Sequence, residues 1–168
     1  MKNYLFIAVY LVFSACSVNP VTGKQDFVMM TENEEIDMGK RYHSQVLNQI
    51  PPYQDTELQD YVQRIGDSLS SKSHRPNLFY RFTVLDSPDI NAFALPGGYI
   101  YINRGLMAYL SSEEELAAVL GHEIGHVTAR HSVRQYSQSQ LLGILSTAIE
   151  LNQGRSAGNL ANLASGAL

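Results

Sequence analysis

The chain has 168 residues, with 12 Lys+Arg against 16 Asp+Glu, a formal charge of −4 and 45% hydrophobic residues, enough for one domain core and too little for two ordinary ones. A negative balance with no Lys/Arg cluster argues against a nucleic-acid-binding face, which needs concentrated positive charge. One cysteine, Cys16, excludes an internal disulfide and any cysteine-built zinc knuckle, so a metal site here has to be built from histidine and carboxylate.

Lys2 precedes an uncharged run over residues 4–13 (YLFIAVYLVF), and the small Ser14 and Ala15 stand just before Cys16. The run is too short to span a bilayer as a helix, which takes about 20 residues, and its layout is that of a secretory signal peptide over 1–15. Its place before the only cysteine resembles the lipobox of bacterial lipoproteins. That likeness implies cleavage before Cys16 and acylation of Cys16, anchoring the protein to a membrane without spanning it. Ser17, rather than Asp, after the cysteine resembles outer-membrane lipoproteins. The alternative is a signal peptide followed by an incidental cysteine.

Residues 16–30 carry Asn-Pro and Thr-Gly and read as a lipidated N-terminus and extended tether; the domain proper is expected over 31–168. Thr31 and Glu34 have capping-box spacing, and Ile36, Gly39, Tyr42, His43, Val46 and Leu47 recur at helical intervals, predicting a helix to about residue 48. Pro51-Pro52 stops it. A second helix is expected over 55–70, with Leu58, Tyr61, Val62, Ile65 and Leu69 on one stripe. Residues 78–85 (LFYRFTVL) read as a strand, and 90–95 and 98–102 as two more flanking a Pro96-Gly97 turn. A long helix starts near Ser111, capped by Ser111 or Ser112 with Glu114 or Glu115. Helices packed on a small sheet give an α+β fold.

That last helix carries His122-Glu123-Ile124-Gly125-His126, the HExxH pattern of zinc metalloproteases; composition alone predicts it about 0.008 times in such a chain. At about 100° per residue, His122 and His126 lie about 40° apart and one turn along the axis, so both imidazoles reach one ion. With Leu116 at zero, Leu120, Ile124 and Val127 fall within about 80° while the histidines fall near 240° and 280°, off the apolar stripe. Ala118, Gly121, Gly125 and Ala129 make a small-residue side open to close approach. Glu123 falls near 340° on that wheel, placed as a general base on water rather than as a ligand. His131 does not complete the longer HExxHxxGxxH pattern, since Ala129 and Ser132 stand where Gly and His are required. On a continuous helix it would lie about 180° from His122, and it reads as structural or as a support behind the ligands. His43 and His74 read as ordinary. A catalytic zinc needs a third protein ligand, and the one acidic residue after Glu123 is Glu150, which could ligate only if the chain turned back near Gly143.

Residues 87–106 (SPDINAFALPGGYIYINRGL) and 113–132 (EEELAAVLGHEIGHVTARHS) resemble the HtpX/Oma-like family of zinc metallopeptidases. With the lipobox and the NPVTGK tether, the likeness is to its periplasmic lipoprotein branch. The resemblance implies a gluzincin-like domain binding one Zn²⁺ through His122 and His126, with Glu123 as the base. It also implies that the strand at Asn91, Ala92, Phe93 and Ala94 lies at the cleft edge and pairs with an extended protein substrate. The family's third ligand is a glutamate several tens of residues beyond HExxH and a few before an aspartate, a form absent from 133–168. It is expected beyond residue 168, the sequence reading as the N-terminal part of a longer protease or a prematurely ended one. The implied function is a zinc endopeptidase on the periplasmic face of the outer membrane, acting on unfolded or misassembled envelope proteins, with outer-membrane assembly components as possible partners. The rival is an anchored chaperone or adaptor with an incomplete metal site.

Overall fold

The computed structural model describes residues 16–19, 21 and 23–153; the signal peptide expected over 1–15 and the end of the chain, 154–168, lie outside them. The chain runs through β1 (Cys16–Val18), β2 (Gln25–Phe27), α1 (Glu32–Gln49), α2 (Thr56–Ser70), β3 (Arg81–Leu85), β4 (Ala92–Leu95), β5 (Tyr99–Asn103), the short α3 (Arg104–Met107), α4 (Glu113–Thr128) and α5 (His131–Gln153). The α+β architecture expected from the sequence is present. The helix starts lie where the caps put them. Thr31 and Glu34 form a reciprocal capping box on α1, and Asp55 accepts from the Leu58 N–H at the head of α2. On α4 the cap is Ser112, which accepts from the Glu115 N–H while the Glu115 carboxylate accepts from the Ser111 N–H.

The main sheet has the order β3-β5-β4, with β3 parallel to β5 and β4 antiparallel to it. Both faces are covered, so the strands read as nearly unbroken apolar runs. Phe82, Val84, Ile100 and Ile102 point to one face and form the core with Val62 of α2 and Leu116, Leu120, Ile124 and Val127 of α4. Burying these aliphatic side chains is worth roughly 1.5–3 kcal/mol each. The opposite face carries Tyr99 and Tyr101 against His43 of α1: the rings of His43 and Tyr99 stack at 4.5 Å, and the Tyr101 hydroxyl lies 2.6 Å from His43 Nδ1. His43 is thus the packing residue its sequence context suggested. Gly39 lets α1 cross the turn Pro96–Gly98, because a Cβ there would lie 2.1 Å from the Pro96 carbonyl oxygen. Gly97 in that turn has φ 75°, a conformation that costs glycine little and other residues more.

The sheet's two edges differ. Along β3 the backbone is closed by two side chains of α2: the Gln59 carboxamide accepts from the Val84 N–H and donates to its carbonyl, both at 2.9 Å. Gln63 does the same between the Phe82 N–H and the Tyr80 carbonyl. Along β4 no strand pairs outside it among the described residues.

One expectation is corrected, and two features of α4 add to what the sequence suggested. Residues 16–30 are not a plain extended tether: β1 and β2 pair antiparallel, and the segment docks on α5 through the Asp26–Arg134 ion pair and a hydrogen bond from the Met29 N–H to the buried Ser137 hydroxyl. The helix under the motif does not continue past Thr128, because Arg130 takes φ 53° and α5 starts anew at His131. The small-residue side of α4 meets no close neighbour at Gly121 or Gly125 among the described residues.

Candidate active site

The apolar stripe of α4 fixes how the helix is rotated. With Leu116, Leu120, Ile124 and Val127 buried against the sheet, His122 is left exposed and His126 half-buried at the rim. Their Nε2 atoms face each other at 3.1 Å, rings edge to face. Two imidazole nitrogens bound at about 2.05 Å and a tetrahedral angle would be about 3.3 Å apart, so the pair fits a shared zinc ion with little adjustment. Glu123 is 8% exposed, one residue from the first histidine. Among the described residues, its carboxylate has no hydrogen-bond donor.

The break after α4 brings in a third histidine. On a continuous helix His131 would lie about 140° around from His126; the left-handed Arg130 returns it to the same side, and its Nδ1 stands 2.8 Å from His126 Nδ1. It meets the nitrogen of His126 that faces away from His122, so it is no third ligand to an ion held between the two Nε2 atoms. Partial desolvation, with Arg134 and His126 beside it, holds its pKa below the ordinary histidine range, against the pull of Asp26. Arg130 is itself held by Glu35, whose buried carboxylate accepts from Arg130 Nε at 2.9 Å and Arg75 Nη1 at 2.8 Å. Arg130 Nη2 donates to the Met30 carbonyl. The sequence signals for this network were weak: Glu35 sits where any polar helix residue could, and a left-handed arginine has no spacing rule.

The β4 edge lies beside the histidines. Ala94, Leu95 and Pro96 line one small cavity with His126, Val127 and Arg130. The Asn103 N–H donates to the Asn91 carbonyl, which makes Asn91 and Asn103 a hydrogen-bonded pair. The alternation of an antiparallel ladder then assigns Phe93–Tyr101 and Leu95–Tyr99 to the same type and turns the backbone N–H and C=O of Ala92 and Ala94 outward. Of the four residues singled out in the sequence, Ala92 and Ala94 therefore offer open backbone groups. Asn91 spends its carbonyl and Phe93 its backbone on β5, and the Phe93 ring stacks on Tyr101 at 4.8 Å.

Among the described residues no group of three His, Cys, Asp or Glu side chains is placed to hold a metal. The turn near Gly143 that Glu150 needed does not occur: α5 is unbroken from His131 to Gln153, which puts Glu150 about 28 Å along the axis from His131. Cys16 opens β1, paired with Phe27. Among the described residues no helix is long and apolar enough to cross a membrane.

Residues 56–166 match the model of peptidase family M48. The chain is 32% identical over 126 residues to the beta-barrel assembly-enhancing protease of Yersinia pestis, covering 75% of this chain and 26% of that protein. It is 34% identical over 107 residues to the protein of that name from Escherichia coli strain K12, covering 64% and 22%. To the mitochondrial metalloendopeptidase OMA1 of Schizosaccharomyces pombe it is 31% identical over 121 residues, covering 69% and 35%. The chain thus spans about a fifth to a third of the length of these relatives. With the HExxH helix, its two facing imidazoles and the open strand beside them all inside the matched region, the chain belongs to peptidase family M48.

Proposed function

We propose that this protein is a zinc-dependent endopeptidase of the bacterial cell envelope, with His122 and His126 as two of the metal ligands and Glu123 as the general base. The observation that carries the reading is the 3.1 Å approach of the two Nε2 atoms beside a buried carboxylate. Zinc, when bound, supplies a Lewis acid that polarises a peptide carbonyl and acidifies water. His122 and His126 hold that charge at the rim of the cleft. Glu123 takes the proton of the attacking water and gives it to the leaving nitrogen. Ala92 and Ala94 bind the substrate backbone by adding it as a strand to the β4 edge, which selects extended chains without requiring one side chain.

That preference suits unfolded or misassembled envelope proteins, and the relatives named for beta-barrel assembly favour outer-membrane assembly components as partners. Acylation at Cys16 places the domain at the periplasmic face of the outer membrane. The third zinc ligand is expected beyond residue 168.

The test uses the native protein extracted from membranes in detergent. Casein cleavage is expected to stop with a chelator and to return with zinc. Glu123→Gln is expected to keep the metal and lose at least about 100-fold in rate. Casein binding without cleavage, unaffected by the chelator and by Glu123→Gln, would instead establish the anchored chaperone or adaptor.

A further inference from the structure

We propose that His131 is a positioning residue for the metal ligand His126: its Nδ1 accepts the hydrogen carried by His126 Nδ1 and so fixes the His126 ring with its Nε2 lone pair toward His122. The inference rests on the reading of His122 and His126 as ligands and adds a residue to that site.

A histidine binds metal through a nitrogen without a hydrogen, and its other nitrogen then carries one. His126 points Nε2 at His122 Nε2 at 3.1 Å, so its hydrogen belongs on Nδ1, and the nitrogen that faces that atom among the described residues is His131 Nδ1 at 2.8 Å. The distance is that of a hydrogen bond, and the two ring planes stand 76° apart with centroids at 4.8 Å. A hydrogen bond to the outer nitrogen of a ligating histidine sets its tautomer and its rotation and makes the ligand more basic.

The fold holds this contact in place at a cost. Five residues after His126, a continuous helix would carry His131 to the far side. The left-handed Arg130, φ 53°, brings it back, and a non-glycine residue pays roughly 1–2 kcal/mol for that conformation. Three contacts hold the break: Arg130 Nε on Glu35 at 2.9 Å, Arg130 Nη2 on the Met30 carbonyl at 3.1 Å, and Asn19 Nδ2 on the Ala129 carbonyl at 3.3 Å. The first two join the break to the head of α1 and the third to the N-terminal hairpin.

The test measures zinc affinity of the full-length protein by competition with a chromogenic chelator for the wild type, His126→Ala, His131→Leu and His131→Asn. The Asn side chain keeps an acceptor oxygen near the position of Nδ1, and Leu keeps bulk without one. His131→Leu is expected to weaken zinc binding about 10- to 100-fold, with His131→Asn restoring it to within a few-fold and His126→Ala nearly abolishing it. In the ¹⁵N-labelled, zinc-loaded wild type, His126 is expected as the Nδ1–H tautomer with a coupling across the hydrogen bond to His131 Nδ1. Equal losses in the Leu and Asn variants would overturn the proposal while leaving both histidines as ligands; an Nε2–H tautomer at His126 would overturn it together with ligation through that nitrogen. Unchanged affinity in His126→Ala would overturn the ligand reading itself. The coupling measurement needs no variant, so a failure of His131→Leu to fold does not decide the matter.

Discussion

Glu35, 1% exposed near the start of α1, holds the Nε of Arg130 at 2.9 Å across 95 residues of chain. The same carboxylate takes Arg75 Nη1 at 2.8 Å and lies 3.4 Å from the Gly97 N–H in the turn that ends β4. One buried charge thus ties the break that presents His131 to the turn that ends the open strand, and both walls of the cleft are fixed from a single point.

Removing that charge leaves two guanidinium groups facing each other with little water to shield them. Glu35→Gln is expected to lower the unfolding free energy by about 3–5 kcal/mol, the usual cost of breaking a buried ion pair. Glu32→Gln is the control, because Glu32 pairs with the same Arg75 from the surface and is expected to cost less than about 1 kcal/mol. Urea unfolding followed by circular dichroism checks both; equal costs would refute the role given to Glu35.

A second prediction concerns the closed edge of the sheet. Gln59 satisfies the Val84 N–H, which has no strand on that side, while the Val84 carbonyl also receives the Tyr53 N–H. In Gln59→Leu the amide loses its acceptor in a partly buried place, at a cost of about 1–3 kcal/mol. Hydrogen exchange at the Val84 amide is the direct measurement: protection is expected to fall there more than at Ile102 in the middle of the sheet.

What the sequence disclosed and what it hid follow from how far each interaction reaches along the chain. The capping box at Thr31, the Ser112 cap, the strand runs and the apolar stripe of α4 are set by neighbours within a few residues, so spacing shows them. The His122–His126 pair is legible for the same reason, being one helical turn. Hidden were the features made by distant partners: Glu35 with Arg130, Gln59 and Gln63 standing in for a strand along β3, and the hairpin docking through Asp26 on Arg134. The contact of His131 with His126 is only five residues long, yet it depends on a backbone angle that those distant groups impose.

The third prediction is a pH dependence of stability. Desolvation, then the charge of Arg81, lowers the pKa of His43 in the folded protein from the ordinary histidine value near 6.5, and the Tyr101 hydroxyl lies 2.6 Å from its Nδ1. Below about pH 6.5 the unfolded chain takes up a proton on this residue that the folded chain refuses, so stability falls as pH drops toward the folded-state pKa and is flat for this group above 6.5. His43→Gln removes that contribution. Unfolding free energies measured between pH 7.5 and 5 are expected to slope less in the variant than in the wild type; parallel curves would show that His43 titrates alike in both states.

The last prediction separates the two kinds of backbone position on β4. Proline removes an N–H, which a sheet tolerates where that group faces away from the ladder and not where it bonds to the neighbouring strand. Ala94 faces outward and Phe93 inward to Tyr101, by the alternation that the Asn91–Asn103 hydrogen bond fixes. Phe93→Pro is therefore expected to destabilise the domain, losing a ladder bond and the stacking on Tyr101. Ala94→Pro is expected to leave the thermal midpoint nearly unchanged. If substrates add as a strand to this edge, Ala94→Pro also removes one hydrogen bond to them, worth about 0.5–1.5 kcal/mol, which raises KM about 2- to 12-fold with kcat less affected. Peptidase kinetics beside thermal unfolding of the two variants checks it: a KM for Ala94→Pro equal to that of the wild type would take the outward backbone of β4 out of substrate binding.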